Sequence, residues 1–262
     1  MAYETFDFDI EDGVARVTLN RPDAFNAMST QMALELMHIS IRCGEDPEIR
    51  AVLLTGAGKA FCAGGDLVQF SGVTEGLAAH LKEMTTYLHS AISRFAWMDA
   101  PLVAAVNGVA AGAGMSLAVA CDLVIAAESA RFTMAYTKAG LTPDGSSTYY
   151  LPRIIGVRRT MELALTNRVL GAAEAVEWGI ANRVVADADC LAEAGALAAE
   201  LAQGPTRAFG GVKKMLTMSH NDSLEGQLER ETRFIAEMAN GTDAPEGIAA
   251  FAEKRAPKFV GR

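Results

Sequence analysis

Apolar and polar residues alternate over Val14–Leu19, and the alternation stops at Arg21-Pro22-Asp23, so this segment predicts a strand closed by a turn. Ser29 then stands where the first N–H groups of a helix need an acceptor, and Met32, Leu36, Ile39 and Cys43 follow at helical spacing. Residues 51–55 predict a second strand, ended by Gly56-Ala57-Gly58. After an irregular glycine-containing segment, Leu77, Leu81, Met84, Leu88, Ile92 and Phe95 mark one face of a helix that reaches Trp97. Leu102–Val106 predicts a third strand, which enters a glycine- and alanine-rich run over 107–114; a short buried helix at 116–120 and a strand at 123–126 come next. Past the apolar pair Val184-Val185 the pattern turns almost wholly helical, at 191–201, 206–218, 224–238 and 245–254. Strand, turn and helix units with a helical tail predict an α/β core over residues 1–200 and a helical region over 201–262 devoted to packing or assembly.

The length of 262 residues, half of them hydrophobic, suits one sizeable core plus a smaller appended element. With 32 acidic against 23 basic residues the net charge is -9, and no strongly basic stretch offsets it, so nucleic acid and acidic membrane surfaces are not expected partners. A polyanionic ligand would depend on a few local Lys or Arg side chains. Residues 1–10 mix acidic with aromatic residues rather than placing basic before apolar ones, and no uncharged apolar run reaches spanning length. Cys43, Cys62, Cys121 and Cys190 lack CxxC spacing and read as buried free thiols. A soluble, unprocessed, cytoplasmic protein is the expectation. His38, His80 and His220 form no ligand spacing with one another or with the cysteines, so no metal is expected.

Several glycine motifs suggest chemistry that their neighbours then rule against. Gly56-x-Gly58 follows a strand, but Phe61 stands where a dinucleotide fingerprint needs its third glycine. Gly58-Lys59 is followed by Ala60 instead of the Ser or Thr of a phosphate loop. Gly114-Met115-Ser116-Leu117-Ala118 approaches a nucleophile elbow, yet Ser116 lies ten residues beyond the strand end at Val106, which leaves a serine hydrolase a weak alternative. Two other loops, 61–67 and 107–114, read singly as tight turns where backbones pack closely. Together, at two strand ends, they could present free amides to one developing oxyanion, each worth about 2.7–4 kcal/mol in acyl chemistry.

The chain resembles the crotonase (enoyl-CoA hydratase/isomerase) superfamily in Asn20-Arg21-Pro22 with Asn26-Ala27, in Phe61-Cys62-Ala63-Gly64-Gly65-Asp66-Leu67, in the stretch from Ala105 to Gly114, and in Ala120-Cys121-Asp122. The resemblance implies a spiral of strand-strand-helix units, a helical C-terminal region used for trimerisation, and assembly as a homotrimer or dimer of trimers. It implies an acyl-CoA thioester substrate, with CoA entering as part of that substrate and no permanently bound cofactor. By position, the amides of Gly65 and Ala113 would form the oxyanion hole, and Ala27, Ala63, Asp66, Leu67 and Gly112 would line the CoA groove. Because the donors are backbone amides, a small side-chain change at Gly65 or Ala113 is expected to do little.

Hydratases that this chain resembles carry glutamates where Ser116 and Tyr136 stand here, so both carboxylates that would handle water are missing. Asp144, a lone aspartate after Pro143, reads by itself as a turn or helix-capping residue. The stretch Phe132 to Ala135, Lys138, and Gly140 to Asp144 is similar to ring-epoxyphenylacetyl-CoA isomerases and related enoyl-CoA isomerases, which implies Asp144 as the single acid/base. The following stretch, Ser147 to Gly156 and on through Arg168, resembles halobenzoyl-CoA dehalogenases, in which an aspartate at this place is a nucleophile, a histidine matching His89 is the base, and a tryptophan lies near the position of Tyr136. Met134 and Tyr136 read more simply as pocket walls, and His89 as a packing residue on its helix. An isomerase is therefore favoured, ahead of an aryl-CoA dehalogenase or hydrolase, an enoyl-CoA hydratase with unusual groups, and a non-catalytic CoA-thioester binder.

Overall fold

The computed structural model describes residues 3–262. β1 (Phe6–Glu11) and β2 (Val14–Leu19) form an antiparallel hairpin, followed by α1 (Thr30–Glu45) and β3 (Ala51–Gly56). Then come β4 (Ala60–Cys62), α2 (Leu67–Ser71), α3 (Leu77–Trp97), β5 (Leu102–Val106), β6 (Val109–Ala111), α4 (Ala113–Val119), β7 (Leu123–Ala127) and β8 (Arg131–Thr133). The chain continues through α5 (Ser147–Thr166), β9 (Leu170–Gly171), α6 (Ala172–Glu177), β10 (Arg183–Val185) and α7 (Cys190–Ala202). It closes with α8 (Thr206–Ser219), α9 (Leu224–Ala239) and α10 (Asp243–Glu253).

Six of these strands build one sheet in the order β1-β2-β3-β5-β7-β10, parallel beyond the first hairpin. Every residue of β3 and β5 is buried, which explains why both read as unbroken apolar runs rather than alternations. α1 packs along α3, and α7 crosses β3 and β5, so the core unit extends through Ala202. A second sheet, β4-β6-β8-β9, stands beside the first; β4, β6 and β8 are parallel and β9 is antiparallel.

The described architecture has the α/β class and helical C-terminal region expected from the sequence, with local corrections. β1 was not anticipated, although Phe6, Phe8 and Ile10 alternate with acidic residues on its outer face. The helix expected at 116–120 begins at Ala113, and that expected at 245–254 begins at Asp243. α5 starts at Ser147 as expected, and breaks at Gly156, whose φ of 78° no helical residue adopts. Cys43, Cys62 and Cys190 are buried free thiols, while Cys121 is only partly buried. Burial pushes the Cys43 thiol up to about 12 and that of Cys62 up to about 11. No helix among the described residues is long and apolar enough to cross a membrane.

Two cations fasten the helical tail to the core. Lys213 Nζ, on α8, donates to the Phe95 and Ala100 carbonyls, each at 2.9 Å, and pairs with Asp122 at 2.8 Å. Arg50 donates to the Gly204 carbonyl at 2.6 Å and to that of Phe259 at 3.1 Å.

α4 lies directly on β4. A methyl group on Gly114 would stand 2.0 Å from the Cys62 carbonyl oxygen, a backbone atom that cannot swing aside. Gly114→Ala is therefore expected to destabilise the fold by about 3 kcal/mol, read as a lower urea midpoint with unchanged slope. An unchanged midpoint would show that α4 does not press on β4.

Candidate active site

The two glycine-rich loops leave the carboxyl ends of neighbouring parallel strands, β4 and β6. The first is fixed from outside by Asn26, whose amide donates to the Ala57 and Ala60 carbonyls at 2.9 and 2.8 Å. Met28 N–H donates to Gly64 O at 2.7 Å, and Asp66 N–H donates to Met28 O at 3.0 Å. Between these two bonds, the Gly65 N–H donates to no protein acceptor among the described residues. Ala113 is the first residue of α4, and its N–H is likewise without a protein acceptor there. The loops touch backbone to backbone where Gly64 meets Gly112: a methyl on Gly112 would lie 3.4 Å from Gly64 Cα. Gly112 also has φ of 51° and ψ of −122°, a combination closed to other residues. Both residues line one mouth, each with an N–H that has no protein acceptor among the described residues.

That mouth opens on a cavity of about 260 Å³. Ala63, Gly65, Leu67, Gly112 and Ala113 line it on the loop side, Tyr136 and Asp144 opposite. Phe70, Leu81, Met84 and Leu141 supply most of its apolar wall, with Lys82, Thr85 and Thr142 as polar members. Sequence reasoning found Leu81 and Met84 as a helix face but not that this face borders the cavity. Phe70 was missed altogether, and it corrects one expectation: a methyl on Gly65 would stand 2.9 Å from the Phe70 ring, so Gly65→Ala displaces a wall of the cavity.

Ala27 and Asp66, expected along the CoA groove, do not line the cavity. Asp66 caps α2 by accepting the Gln69 N–H at 3.0 Å and pairs with Arg21 at 2.8 Å; Arg21 also donates to the Ala27 carbonyl. Burial pushes the Asp66 carboxyl up, but the bonds from Gln69 and Arg21 outweigh it and hold the group below the ordinary carboxylate range. The pair fixes the loop that carries Gly65.

Asp144 does not cap α5 with its side chain; its main-chain carbonyl accepts the Ser147 N–H and hydroxyl, at 3.2 and 2.9 Å. The carboxylate is instead engaged by the Tyr136 hydroxyl, which donates to Oδ1 at 2.5 Å. Burial, together with the charge of Asp144, pushes the Tyr136 phenol well above its usual range and keeps it a donor. Tyr136 is thus more than a pocket wall. Ser116 is fully buried, with its Oγ 2.8 Å from the Tyr136 hydroxyl and donating to the Asp144 carbonyl at 2.9 Å. Its hydrogen-bond partners include no histidine or other base, which removes the support for a serine nucleophile. His89 approaches Asp144 Oδ2 at 3.9 Å, but its Nε2 accepts the Gly145 N–H at 3.1 Å. That bond assigns the ring proton to Nδ1 and occupies the lone pair a base would use.

With this geometry in place, the comparisons with known proteins are specific. Residues 9–262 match the family described as Enoyl-CoA hydratase/isomerase. The chain is 43% identical to a Rhodobacter capsulatus protein named "Probable enoyl-CoA hydratase", over the whole of both chains. It is 40% identical to the 1,2-epoxyphenylacetyl-CoA isomerase of Escherichia coli K12, covering 97% of each. It is 38% identical to 4-chlorobenzoyl coenzyme A dehalogenase-2 of an Arthrobacter species, covering 93% of this chain and 88% of that one. Among solved structures, enoyl-CoA hydratase from Bacillus anthracis superposes with a TM-score of 0.92 at 32% identity, over 99% of this chain and 100% of that one. The chain belongs to the enoyl-CoA hydratase/isomerase family. Its place within that family turns on the acid/base groups at the cavity.

Proposed function

We propose that the chain is an acyl-CoA isomerase that shifts a double bond, or rearranges a ring-epoxide thioester, through an enolate. The observation that carries this reading is the carboxylate inventory: Asp144 is the one Asp or Glu among the described residues that line the cavity. One carboxylate suffices to take a proton from one carbon and return it to another, whereas orienting and splitting water draws on more groups. Asp144 would remove a proton from the α-carbon next to the thioester carbonyl, or from the γ-carbon of a 2-enoyl thioester. The electron pair would move onto the carbonyl oxygen, where the Gly65 and Ala113 amides stabilise the negative charge. The same carboxyl then returns the proton at the new position. Aryl-CoA dehalogenation fits less well, because the Nε2 of His89 is already occupied by Gly145.

The test is incubation with phenylacetyl-CoA or a 3-enoyl-CoA in deuterated water, followed by NMR. Deuterium entering the α or γ carbon is expected. Hydration of a 2-enoyl-CoA without any such exchange would instead place the chain with the hydratases, and thioester binding without turnover would make it a non-catalytic binder.

The helical region over 201–262 is proposed to build a homotrimer, or a dimer of trimers. Supporting this, Leu216, Leu224, Ile235, Ile248 and Phe251 are apolar side chains left exposed on the tail helices of the single chain. A solution mass three or six times the 27.7 kDa of the chain is expected from light scattering; a monomer would overturn the assignment.

A further inference from the structure

We infer that Tyr136, supported by Ser116, is the positioning residue that decides which oxygen of Asp144 handles the proton. This rests on Asp144 being the acid/base of the reading above. A hydroxyl carries one proton, and Tyr136 directs its own to Asp144 Oδ1, 2.5 Å away. With that proton committed, the 2.8 Å contact between Tyr136 and Ser116 can be bridged only by the single serine proton. The same proton also has the main-chain carbonyls of Asp144, at 2.9 Å, and of Gly112, at 3.2 Å, within reach. Directed to Tyr136 or to the Asp144 carbonyl, it supports the Tyr136–Asp144 unit.

Oδ1 is thereby committed, and Oδ2 is left without a hydrogen-bond donor among the described residues. Its neighbour at 3.9 Å, His89 Nε2, has no proton to give while it accepts the Gly145 N–H. The backbone on either side is held in place as well. Ala135, directly before Tyr136, has φ of 53°, and Ser146, two residues after Asp144, has φ of 69°. Both are left-handed conformations that non-glycine residues adopt only where the surroundings impose them. Tyr136 and Asp144 are thus set by main chain, and the phenol then selects the rotamer.

A carboxylate held by one oxygen has one free oxygen to remove and return the proton, from one face of the substrate. Without that restraint it can turn, lose alignment and trade its proton with solvent between the two steps.

Tyr136→Phe keeps the ring and deletes the donor. It is expected to lower kcat about 10²-fold through misalignment, to leave KM and thioester affinity within about threefold, and to raise the deuterium incorporated per isomerisation in deuterated water. A residue that served packing alone would not shift that ratio. Ser116→Ala, which leaves the phenol in place but unsupported, is expected to move both readouts in the same direction by a smaller factor, and so tests the inference even if Tyr136→Phe folds poorly. Normal kcat and unchanged deuterium incorporation in either variant, alongside an inactive Asp144→Asn, would overturn the positioning role and leave the isomerase reading standing. A wild-type protein with no isomerisation at all would instead overturn the reading on which it rests.

Discussion

Asp144→Asn is expected to slow α- or γ-proton exchange and isomerisation by about 10²–10⁴-fold, the range that one positioned acid/base group contributes. The amide has nearly the shape of the carboxylate, and its oxygen can still accept the Tyr136 hydroxyl, so the 2.5 Å bond and the surrounding turn have a partner in the variant. What disappears is basicity. Because the proposed acid/base role acts on a proton in flight rather than on the resting thioester, the loss is expected to fall on kcat, with thioester affinity within about threefold. The check is isotope exchange followed by NMR beside a direct binding measurement on the same preparation. Full activity in the asparagine variant would remove Asp144 from the chemistry, and a matching loss of affinity would reassign it to substrate binding.

Ala113→Pro is expected to cost about 10²–10³-fold in kcat, the effect of deleting one donor to a developing oxyanion. Proline removes the N–H, and Ala113 is the first residue of α4, the position in a helix that accepts proline without strain. Elsewhere a proline would break the helix and confuse lost chemistry with lost structure. The variant should therefore keep its thermal midpoint close to that of the parent while turnover collapses. Retained turnover would mean that the Ala113 amide does not face the thioester oxygen. A valine at the same position keeps the N–H and separates the donor from the side chain.

The long elements were legible because each keeps one period over many residues. The stripe from Leu77 to Phe95 and the buried runs of β3 and β5 are of this kind. The second sheet was not legible, since β4, β6 and β8 are three residues each, too short for any alternation to register. β1 was overlooked for a different reason: Asp7, Asp9 and Glu11 make its outer face resemble an exposed loop, though its inner positions alternate cleanly. At the site, the loops bearing Gly65 and Ala113 were visible through their glycine content, which backbone contact demands. The meeting of Ser116, Tyr136 and Asp144 was not. These residues lie 8 to 28 positions apart along the chain, and a hydrogen bond between them follows from how α4 and the 134–146 segment pack, for which no local pattern exists.

The adjacency of β4 and β6 sets a length scale for the proposed oxyanion site. Neighbouring strands run about 4.8 Å apart, so the ladder sets the spacing at which the two loops carrying Gly65 and Ala113 leave β4 and β6. The hydrogen-bonded ladder thus works as a gauge block, machined by peptide geometry. Replacements at the cavity-lining side chains can empty or crowd it without altering the ladder, whereas a methyl at Gly114 would press on β4 itself. Redirecting this scaffold towards a different thioester reaction would then be a matter of re-equipping positions 116, 136 and 144 against an anvil that stays where the backbone put it.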